Sequence, residues 1–232
     1  PYTAAERAVN IISFIKRFGL PGSKEINLSI LTAHTMAIAN KLEYFGDHHT
    51  SNHLANNGRG LYLLGLELGL KNASNIGSRI LIEEAKRIFH SSGILREGSS
   101  HYHILLTHNF EEVANAATEY NREEASSLRS IANKARAAAE LMVLPGGLPL
   151  VGDISPDLSP PYLLKKLRLN DITHRPTTKE LELFKGTGWC RKDIGPFSAL
   201  WYAAPEGWSQ MPGHGHQDIG SFELHYGNEP VF

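Results

Sequence analysis

Residues 220–232 have the sequence GSFELHYGNEPVF, in which apolar and polar side chains alternate around a Gly-Asn dipeptide. Such alternation, with aromatic residues and a glycine-containing turn, is typical of antiparallel β-strands. Residues 197–204, FSALWYAA, have the same character. The preceding chain, up to about residue 170, has the apolar spacing of helices instead. The sequence therefore predicts a mainly α protein, in which a helical domain is followed by the first strands of an antiparallel β domain.

Six helical segments are predicted before these strands, because apolar residues recur three or four positions apart. Val9, Ile12 and Ile15 show this pattern in the first segment. A proline- and glycine-rich stretch at 150–161 predicts a structured loop after the helices. Short connections between helices favour packing in antiparallel hairpins. The six segments span residues 4–18, 28–45, 52–70, 74–89, 99–120 and 123–144.

The charge balance of the chain limits its partners. Its 232 residues carry 23 Lys and Arg against 24 Asp and Glu, a formal net charge of −1. Proteins that bind nucleic acid through bulk charge have a basic surplus, so this balance argues against a nucleic-acid partner. The single cysteine, Cys190, can form neither an internal disulfide nor a thiolate zinc cluster. No run approaches ~18 consecutive apolar residues, so no transmembrane segment is predicted.

Most of the twelve histidines lie in three short clusters. The clusters are residues 47–53 (DHHTSNH), 96–103 (REGSSHYH) and 214–218 (HGHQD). Taken singly, each has an ordinary structural interpretation: a helix cap, packing at a helix start, and a solvated strand face. On a strand, however, the H-x-H pattern places both imidazoles on one face, which also suits a metal ion.

Taken together, the three clusters resemble the heparinase II/III-like family. The resemblance spans roughly residues 30–232, in the family's order. It implies an incomplete α/α toroid over residues 1–170, with part of its N-terminal region missing, and the start of an antiparallel β-sandwich at 186–232. The family includes lyases of uronic-acid polysaccharides, among them heparinases and alginate lyases. The matching residues are Asn52-His53-Leu54, Glu97-Gly98-Ser99, Tyr102-His103, and HGHQD followed by SFEL at 221–224.

The resemblance implies four catalytic residues for β-elimination at a uronate. Asn52 and His53 match the pair that neutralises the substrate carboxylate. Tyr102 matches the tyrosine that serves as base and acid, and His214 matches a histidine that faces the substrate from the β domain. Amide and imidazole donors stabilise developing charge as an oxyanion hole does, and a helix start favours phenolate. We therefore expect Asn52, His53 and Tyr102 to line one cleft.

Three further residues are predicted to bind substrate: Arg96, His103 and Asn56. The positive charge of Arg96 would also favour the phenolate of the tyrosine. Asn56 departs from the family pattern, because several relatives have Glu at this position. The run Ser99-Ser100-His101 also departs from the E-Q-S that often precedes the tyrosine. It stays open whether His101 and His103 are ligands or bases, or instead pack and form hydrogen bonds behind the site.

His216 matches a zinc ligand of the relatives that hold a structural zinc ion. Zinc sites need about four donors, and the resemblance places the remaining ligands outside this chain segment. The chain begins at Pro1 and ends at Val231-Phe232 inside a predicted strand, so we interpret it as a piece of a longer protein. We expect this piece alone to hold zinc poorly and to lack turnover, and expect both to return once the β domain is completed.

Two other interpretations stay open beside a lyase that acts on an acidic, uronate-containing polysaccharide. A heparinase-like protein of a polysaccharide biosynthesis or assembly system would bind glycan with little lyase turnover, and Asn56 favours this interpretation. An α-helical interaction module with incidental histidines would instead place the three clusters far apart. The sequence does not decide the location of the protein, although the resemblance implies a periplasmic or extracellular one.

Overall fold

The computed structural model describes residues 1–47, 49–156, 158–170, 176–203 and 220–232. Within these ranges the chain forms eight helices, which precede four β-strands. No helix in the described ranges is long and apolar enough to cross a membrane. The helices are α1 (Tyr2–Phe18), α2 (Lys24–Ala39), α3 (Asn52–Glu67), α4 (Lys71–Ile88), α5 (Ser100–Glu119), α6 (Ala125–Met142), α7 (Pro160–Leu167) and α8 (Thr178–Lys185). The strands are β1 (Trp189–Ile194), β2 (Phe197–Tyr202), β3 (Phe222–Tyr226) and β4 (Glu229–Pro230).

Helix α2 ends earlier than its sequence pattern predicts. The pattern continues to Phe45, but the helix ends at Ala39. Beyond it, the backbone N–H of Glu43 donates to Asn57 Oδ1 and that of Phe45 donates to Thr50 Oγ1, each at 2.9 Å. Because Asn57 of α3 and Thr50, just ahead of α3, accept these hydrogen bonds, the connecting segment is a loop that is fixed against α3.

The other five predicted helices are confirmed to within a few residues of their ends, whereas α7, α8 and β1 were not predicted. Helix α7 begins with Pro160 and Pro161, where a missing N–H costs no helical hydrogen bond. Helix α8 begins with a capping box between Thr177 and Glu180. Each of these two helices has only 8 residues, which is too short for apolar periodicity to reveal.

The chain divides into two compact units. The first unit comprises residues 1–87 and 111–129, and the second comprises residues 88–110 and 130–232. Helices α5 and α6 therefore contribute residues to both units. The domain bounds at 170 and 186, which the family resemblance implies, stay a prediction.

Helix α3 is the centre of the first unit. Nearly all of its residues are buried, and α1 and α2 both pack against it. Gly60 permits the close approach of α1, because a Cβ at this position would lie 2.7 Å from the Cβ of Ala5. Cores packed at this density do not accept an added methyl group without strain. The surrounding helices therefore hold α3, whose first two residues, Asn52 and His53, end the first histidine cluster.

The strands of the second unit form one antiparallel sheet in the order β1-β2-β3-β4. Trp189 and Leu200 lie on its inner face and are buried in a core with apolar residues of α6, α7 and α8. The Trp189 ring stacks on Phe184 of α8. The sheet is thus attached to the helices that precede it. Its opposite face carries exposed apolar side chains, namely Ile194, Phe197, Phe222 and Tyr226.

Candidate functional site

The first histidine cluster leads into α3. Ser51 is the N-cap residue, and its hydroxyl accepts a hydrogen bond from the backbone N–H of His53 at 3.4 Å. Asn52 is almost completely buried, whereas 42% of the His53 side chain is exposed. The positive end of the helix dipole lies here and favours negatively charged groups. The start of α3 therefore presents an imidazole to solvent at a position that suits an anion.

Two side chains fix the ring of His53. Its Nδ1 lies 3.3 Å from Oε1 of Glu43, whose side chain is only 17% exposed. The centroid of the ring lies 4.6 Å from that of Tyr2, with the two planes at 40°. Because a carboxylate can only accept a hydrogen bond, Nδ1 of His53 carries the proton in this contact.

Asn57 anchors Glu43 beside His53. The Asn57 side chain is completely buried and donates from Nδ2 to Oε2 of Glu43 at 2.9 Å. In the opposite direction, the backbone N–H of Glu43 donates to Asn57 Oδ1 at 2.9 Å. One buried amide thus bonds both the backbone and the side chain of Glu43, which leaves Oε1 directed at the histidine.

Arg87 of α4 fastens the loop that precedes α3. Its guanidinium donates to the backbone carbonyls of Asp47, Thr50 and Ser51, and it forms an ion pair with Glu84 one turn earlier. Hydrogen bonds from a charged donor are stronger than those between neutral groups. The conformation of the loop therefore depends on a residue far from it in sequence.

Asn56, one turn into α3, is buried within a polar network. Its Nδ2 donates to the backbone carbonyl of Tyr2 at 3.4 Å, and its Oδ1 accepts from Arg59 at 3.2 Å. Arg59 also pairs with Glu6 of α1 at 2.8 Å and with Glu112 of α5 at 2.7 Å. The network joins three helices and uses both polar atoms of the Asn56 amide. Both atoms thus have a role within the fold, and the expected contact of Asn56 with substrate stays a prediction.

In the second unit, two serines tie the start of α5 to the loop after α6. The hydroxyl of Ser99 caps the helix by accepting from the N–H of Tyr102 at 3.0 Å. The hydroxyl of Ser100 donates to the carbonyl of Pro149 at 2.6 Å and accepts from the N–H of Val151 at 3.1 Å. The loop that the sequence predicts at the end of the helical region therefore lies directly against the start of α5.

Tyr102 is half-buried in the first turn of α5. Its ring packs against the apolar core of the second unit and meets the ring of His101 edge-on, with centroids 6.3 Å apart. Tyr102 belongs to the second unit, whereas Asn52 and His53 belong to the first. The expected convergence of these three residues on one cleft stays a prediction.

The two histidines beside the predicted catalytic tyrosine are completely buried. Nδ1 of His101 accepts from the N–H of Ser155 at 2.9 Å. Nδ1 of His103 accepts from the N–H of Leu95 at 3.2 Å, and its Nε2 donates to the carbonyl of Ala135 at 3.0 Å. Burial lowers the pKa of His103 to about 4 and also lowers the pKa of His101. Both ring nitrogens of His103 have backbone partners, and its expected contact with substrate stays a prediction.

Arg96 is half-buried ahead of α5, and its backbone N–H donates to the carbonyl of Ile88 at 2.8 Å. Burial, and then the positive charge of Arg96, lower the pKa of the nearby His90 to about 4. The charge of Arg96 therefore acts on a titratable neighbour in this region. Its expected action on the tyrosine and on substrate stays a prediction.

The third cluster is not part of the described chain. His214 and His216 lie outside the described residues, so the catalytic and zinc-binding roles expected of them stay predictions. Within the described ranges, no group of three or more His, Cys, Asp or Glu side chains is placed to hold a metal ion.

The SFEL segment that follows the third cluster forms β3, where its glutamate has a structural contact. Oε1 of Glu223 lies 2.6 Å from Nε2 of the buried His225. Nδ1 of His225 accepts from the backbone N–H of Gly146 at 3.0 Å. This histidine therefore connects β3 to the turn that follows α6.

The residues that support His53 were missed at the level of sequence. Glu43 falls in a segment whose apolar pattern predicts helix, Tyr2 lies fifty residues away in another helix, and Arg87 is one of several cations on α4. None of them belongs to a recognisable motif. Only the fold brings them to the start of α3.

The fold of the chain matches that of solved polysaccharide lyases. A heparinase III crystal structure aligns with a TM-score of 0.69 over 99% of this chain and 41% of its own, at 17% sequence identity. The heparan sulfate lyase HepC from Pedobacter heparinus aligns with a TM-score of 0.63 over 98% of this chain and 39% of its own, at 16% identity. Another heparinase III aligns with a TM-score of 0.67 over 99% and 39%, also at 16% identity. No protein-family model matches the sequence, and no curated protein is significantly similar to it.

These alignments define the class of fold. Heparinase III has an α/α toroid followed by a β-sandwich. This chain spans about two fifths of the length of those structures, and it has helices followed by an antiparallel sheet in the same order. The expected fold, part of an α/α toroid followed by the first strands of a β-sandwich, is therefore confirmed.

Proposed function

We propose that this chain is part of a polysaccharide lyase that cleaves an acidic, uronate-containing polysaccharide by β-elimination. The observation that carries the proposal is the fold, which aligns along nearly the whole chain with structures named heparinase III and heparan sulfate lyase. The starts of α3 and α5 support it, because they hold side chains of the types that this reaction requires.

β-Elimination at a uronate needs a base, a charge neutraliser and an acid. The base removes the proton from C5, and the electron pair left behind forms the C4–C5 double bond as the bond from C4 to the glycosidic oxygen breaks. The leaving oxygen then takes a proton from the acid. Because the C5 proton is only weakly acidic, hydrogen-bond donors must stabilise the charge that moves onto the substrate carboxylate.

Asn52 and His53 are the neutralising pair in this proposal. The exposed part of the His53 side chain makes its imidazole accessible to a substrate. Asn52 is buried in the same turn, so the proposal requires the carboxylate to enter against the start of α3. The helix dipole contributes a favourable field at that point.

Tyr102 is the base and the acid in this proposal. A phenol is a weak base at neutral pH, since its ordinary pKa is ~10. The first turn of α5 compensates in part, because the positive end of a helix dipole stabilises phenolate. Arg96 would assist the phenolate. The family resemblance implies that His214 would contact the substrate and that His216 would hold a structural zinc ion together with ligands from outside this segment; both histidines lie outside the described residues.

The test is the ultraviolet absorbance of the unsaturated product, measured with the full-length protein on a panel of uronate polymers. We expect at least one polymer to give a steady rise in absorbance. The same polymer with its carboxylates chemically reduced to alcohols is the matched control and should give none. Absence of product from every uronate polymer would contradict the proposal.

A second candidate is a glycan-binding protein of a polysaccharide assembly system with little lyase turnover. The observation that favours it is Asn56, which stands where several relatives have Glu and is used inside the fold by Arg59. This candidate predicts saturable binding of a uronate polymer without the unsaturated product. Isothermal titration calorimetry beside the absorbance assay therefore separates the two candidates.

A further inference from the structure

Four of the described histidines divide by whether Nδ1 accepts or donates a hydrogen bond. In His101, His103 and His225, Nδ1 accepts from a backbone N–H, so a neutral ring carries its proton on Nε2. In His53, Nδ1 faces the carboxylate of Glu43 and must be the donor. Because the partner of one ring nitrogen sets the protonation of the other, His53 has the opposite tautomer.

We propose that Glu43 is a positioning residue for His53, which fixes both the orientation of its ring and the proton on Nδ1. The consequence for catalysis rests on the proposed lyase function. Three contacts support the proposal: the carboxylate at 3.3 Å from Nδ1, the buried Asn57 amide that bonds Glu43 at two atoms, and the Tyr2 ring against the imidazole.

The anchoring of Glu43 separates this contact from an ordinary surface ion pair. A surface pair must immobilise two long side chains, and for that reason contributes little. Here the carboxylate is mostly buried, and Asn57 has already ordered it, with hydrogen bonds of 2.9 Å to its side chain and to its backbone. The fold therefore orders the Glu43 side chain before a substrate binds, so its loss of conformational entropy does not oppose binding.

The geometry determines how His53 can meet an anionic substrate. With Nδ1–H directed at Glu43, a substrate carboxylate can accept a hydrogen bond from this ring only at Nε2. Nε2 can donate only when the ring is doubly protonated, since a neutral ring has one donor. Glu43 therefore fixes the proton on Nδ1, and a hydrogen bond from Nε2 to the substrate requires a second proton on the ring.

The first test reads the tautomer directly and does not require turnover. Ring nitrogen chemical shifts of ¹⁵N-histidine-labelled protein, at a pH where the rings are neutral, should show the proton of His53 on Nδ1 and that of His225 on Nε2. In Glu43→Ala, the ring proton of His53 should no longer prefer Nδ1. Glu83→Ala, at an exposed glutamate that pairs with Lys86, is the matched control and should leave it unchanged. A wild-type His53 ring protonated on Nε2 would overturn the proposal.

The second test uses the full-length protein on its substrate. Glu43→Ala should lower kcat/KM about 10–100-fold, by analogy with metal-bound histidines, for which loss of the hydrogen-bond partner that orients the ring has this effect. Glu43→Gln should retain more activity than Glu43→Ala, because its amide oxygen can still accept from Nδ1. Full kcat/KM in folded Glu43→Ala protein would overturn the catalytic consequence. If the tautomers are as expected and wild-type protein forms no product, the lyase proposal fails while the positioning of His53 stands.

Discussion

The starts of α3 and α5 look alike in the sequence and differ in the fold. Both follow serines, and both carry histidines next to polar residues. At α3, His53 is partly exposed and paired with a carboxylate. At α5, His101 and His103 are completely buried, and their Nδ1 atoms accept from backbone N–H groups. A histidine with an exposed edge and a charged partner is suited to a ligand, whereas one enclosed by backbone partners serves the fold.

The buried histidines help to hold the start of α5, which carries the predicted catalytic tyrosine, in place. His103 fixes α5 to the segments at Leu95 and Ala135, and Ser100 fixes it to the loop after α6. Functional side chains act best when their supporting elements are held by packing and hydrogen bonds. The comparison therefore favours Tyr102 over the buried histidines as the reacting group of α5 in the proposed lyase, and it favours His53 as a residue that meets the substrate at α3.

The largest expected effect is that of Tyr102→Phe in the full-length enzyme. General acid–base groups contribute ~10²–10⁴-fold to rate, so product formation should fall by that factor while the fold is kept. Tyr162→Phe is the control, because Tyr162 is exposed on α7 and its ring contacts Lys166. A rate close to wild type for Tyr102→Phe would indicate that His101 or His103 is the base and acid instead.

Arg59→Ala should destabilise the first unit without touching the predicted catalytic residues. It leaves Glu6 and Glu112 without their shared cation and Asn56 without a donor. Removing one partner of a buried pair costs about 3–5 kcal/mol, and the partial exposure of the two carboxylates reduces this to about 2–4 kcal/mol. Urea unfolding followed by circular dichroism measures the loss. Lys86→Ala, which breaks an exposed pair, is the control and should change little.

The α5 histidines should make the protein less stable as the pH falls. The folded His103 ring binds a proton only near its lowered pKa of about 4, whereas an unfolded ring does so near 6.5. The unfolded chain therefore binds more protons between these values, so stability is full above pH 6.5 and declines towards pH 4. His90 acts in the same direction. Melting temperatures across this range should decline less steeply for His103→Gln, and an unchanged slope would contradict the buried neutral ring.

Ser100→Ala should have the smallest of these effects. It removes a hydroxyl that donates to the carbonyl of Pro149 and accepts from the N–H of Val151. Leaving such buried groups unsatisfied costs about 1–3 kcal/mol. Ser127→Ala, at an exposed position on α6, is the control and should change the free energy of unfolding by less than about 0.5 kcal/mol. Equal stabilities of the two variants would show that this loop does not hold α5.

Much of the fold could be predicted because helices and strands have their own apolar periods. The early end of α2 could not, since it depends on the side chains of Thr50 and Asn57 accepting hydrogen bonds from the backbone N–H groups of Phe45 and Glu43, which apolar spacing does not reveal. Asn52, His53 and Tyr102 are predicted from their motifs, whereas Glu43 belongs to none. The backbone partners of His103 could not be predicted, because residue type and spacing do not reveal which atoms a side chain bonds once the chain has folded.

The most direct test pairs His53→Gln with His103→Gln in the full-length protein, with kcat/KM and melting temperature measured for both. The contrast between the two helix starts predicts that His53→Gln loses most of its turnover and melts close to wild type. It predicts that His103→Gln melts lower and that its folded fraction retains turnover. Full turnover by His53→Gln would contradict a role of His53 in catalysis. A loss of turnover in His103→Gln with an unchanged melting temperature would contradict a structural role of the α5 histidines.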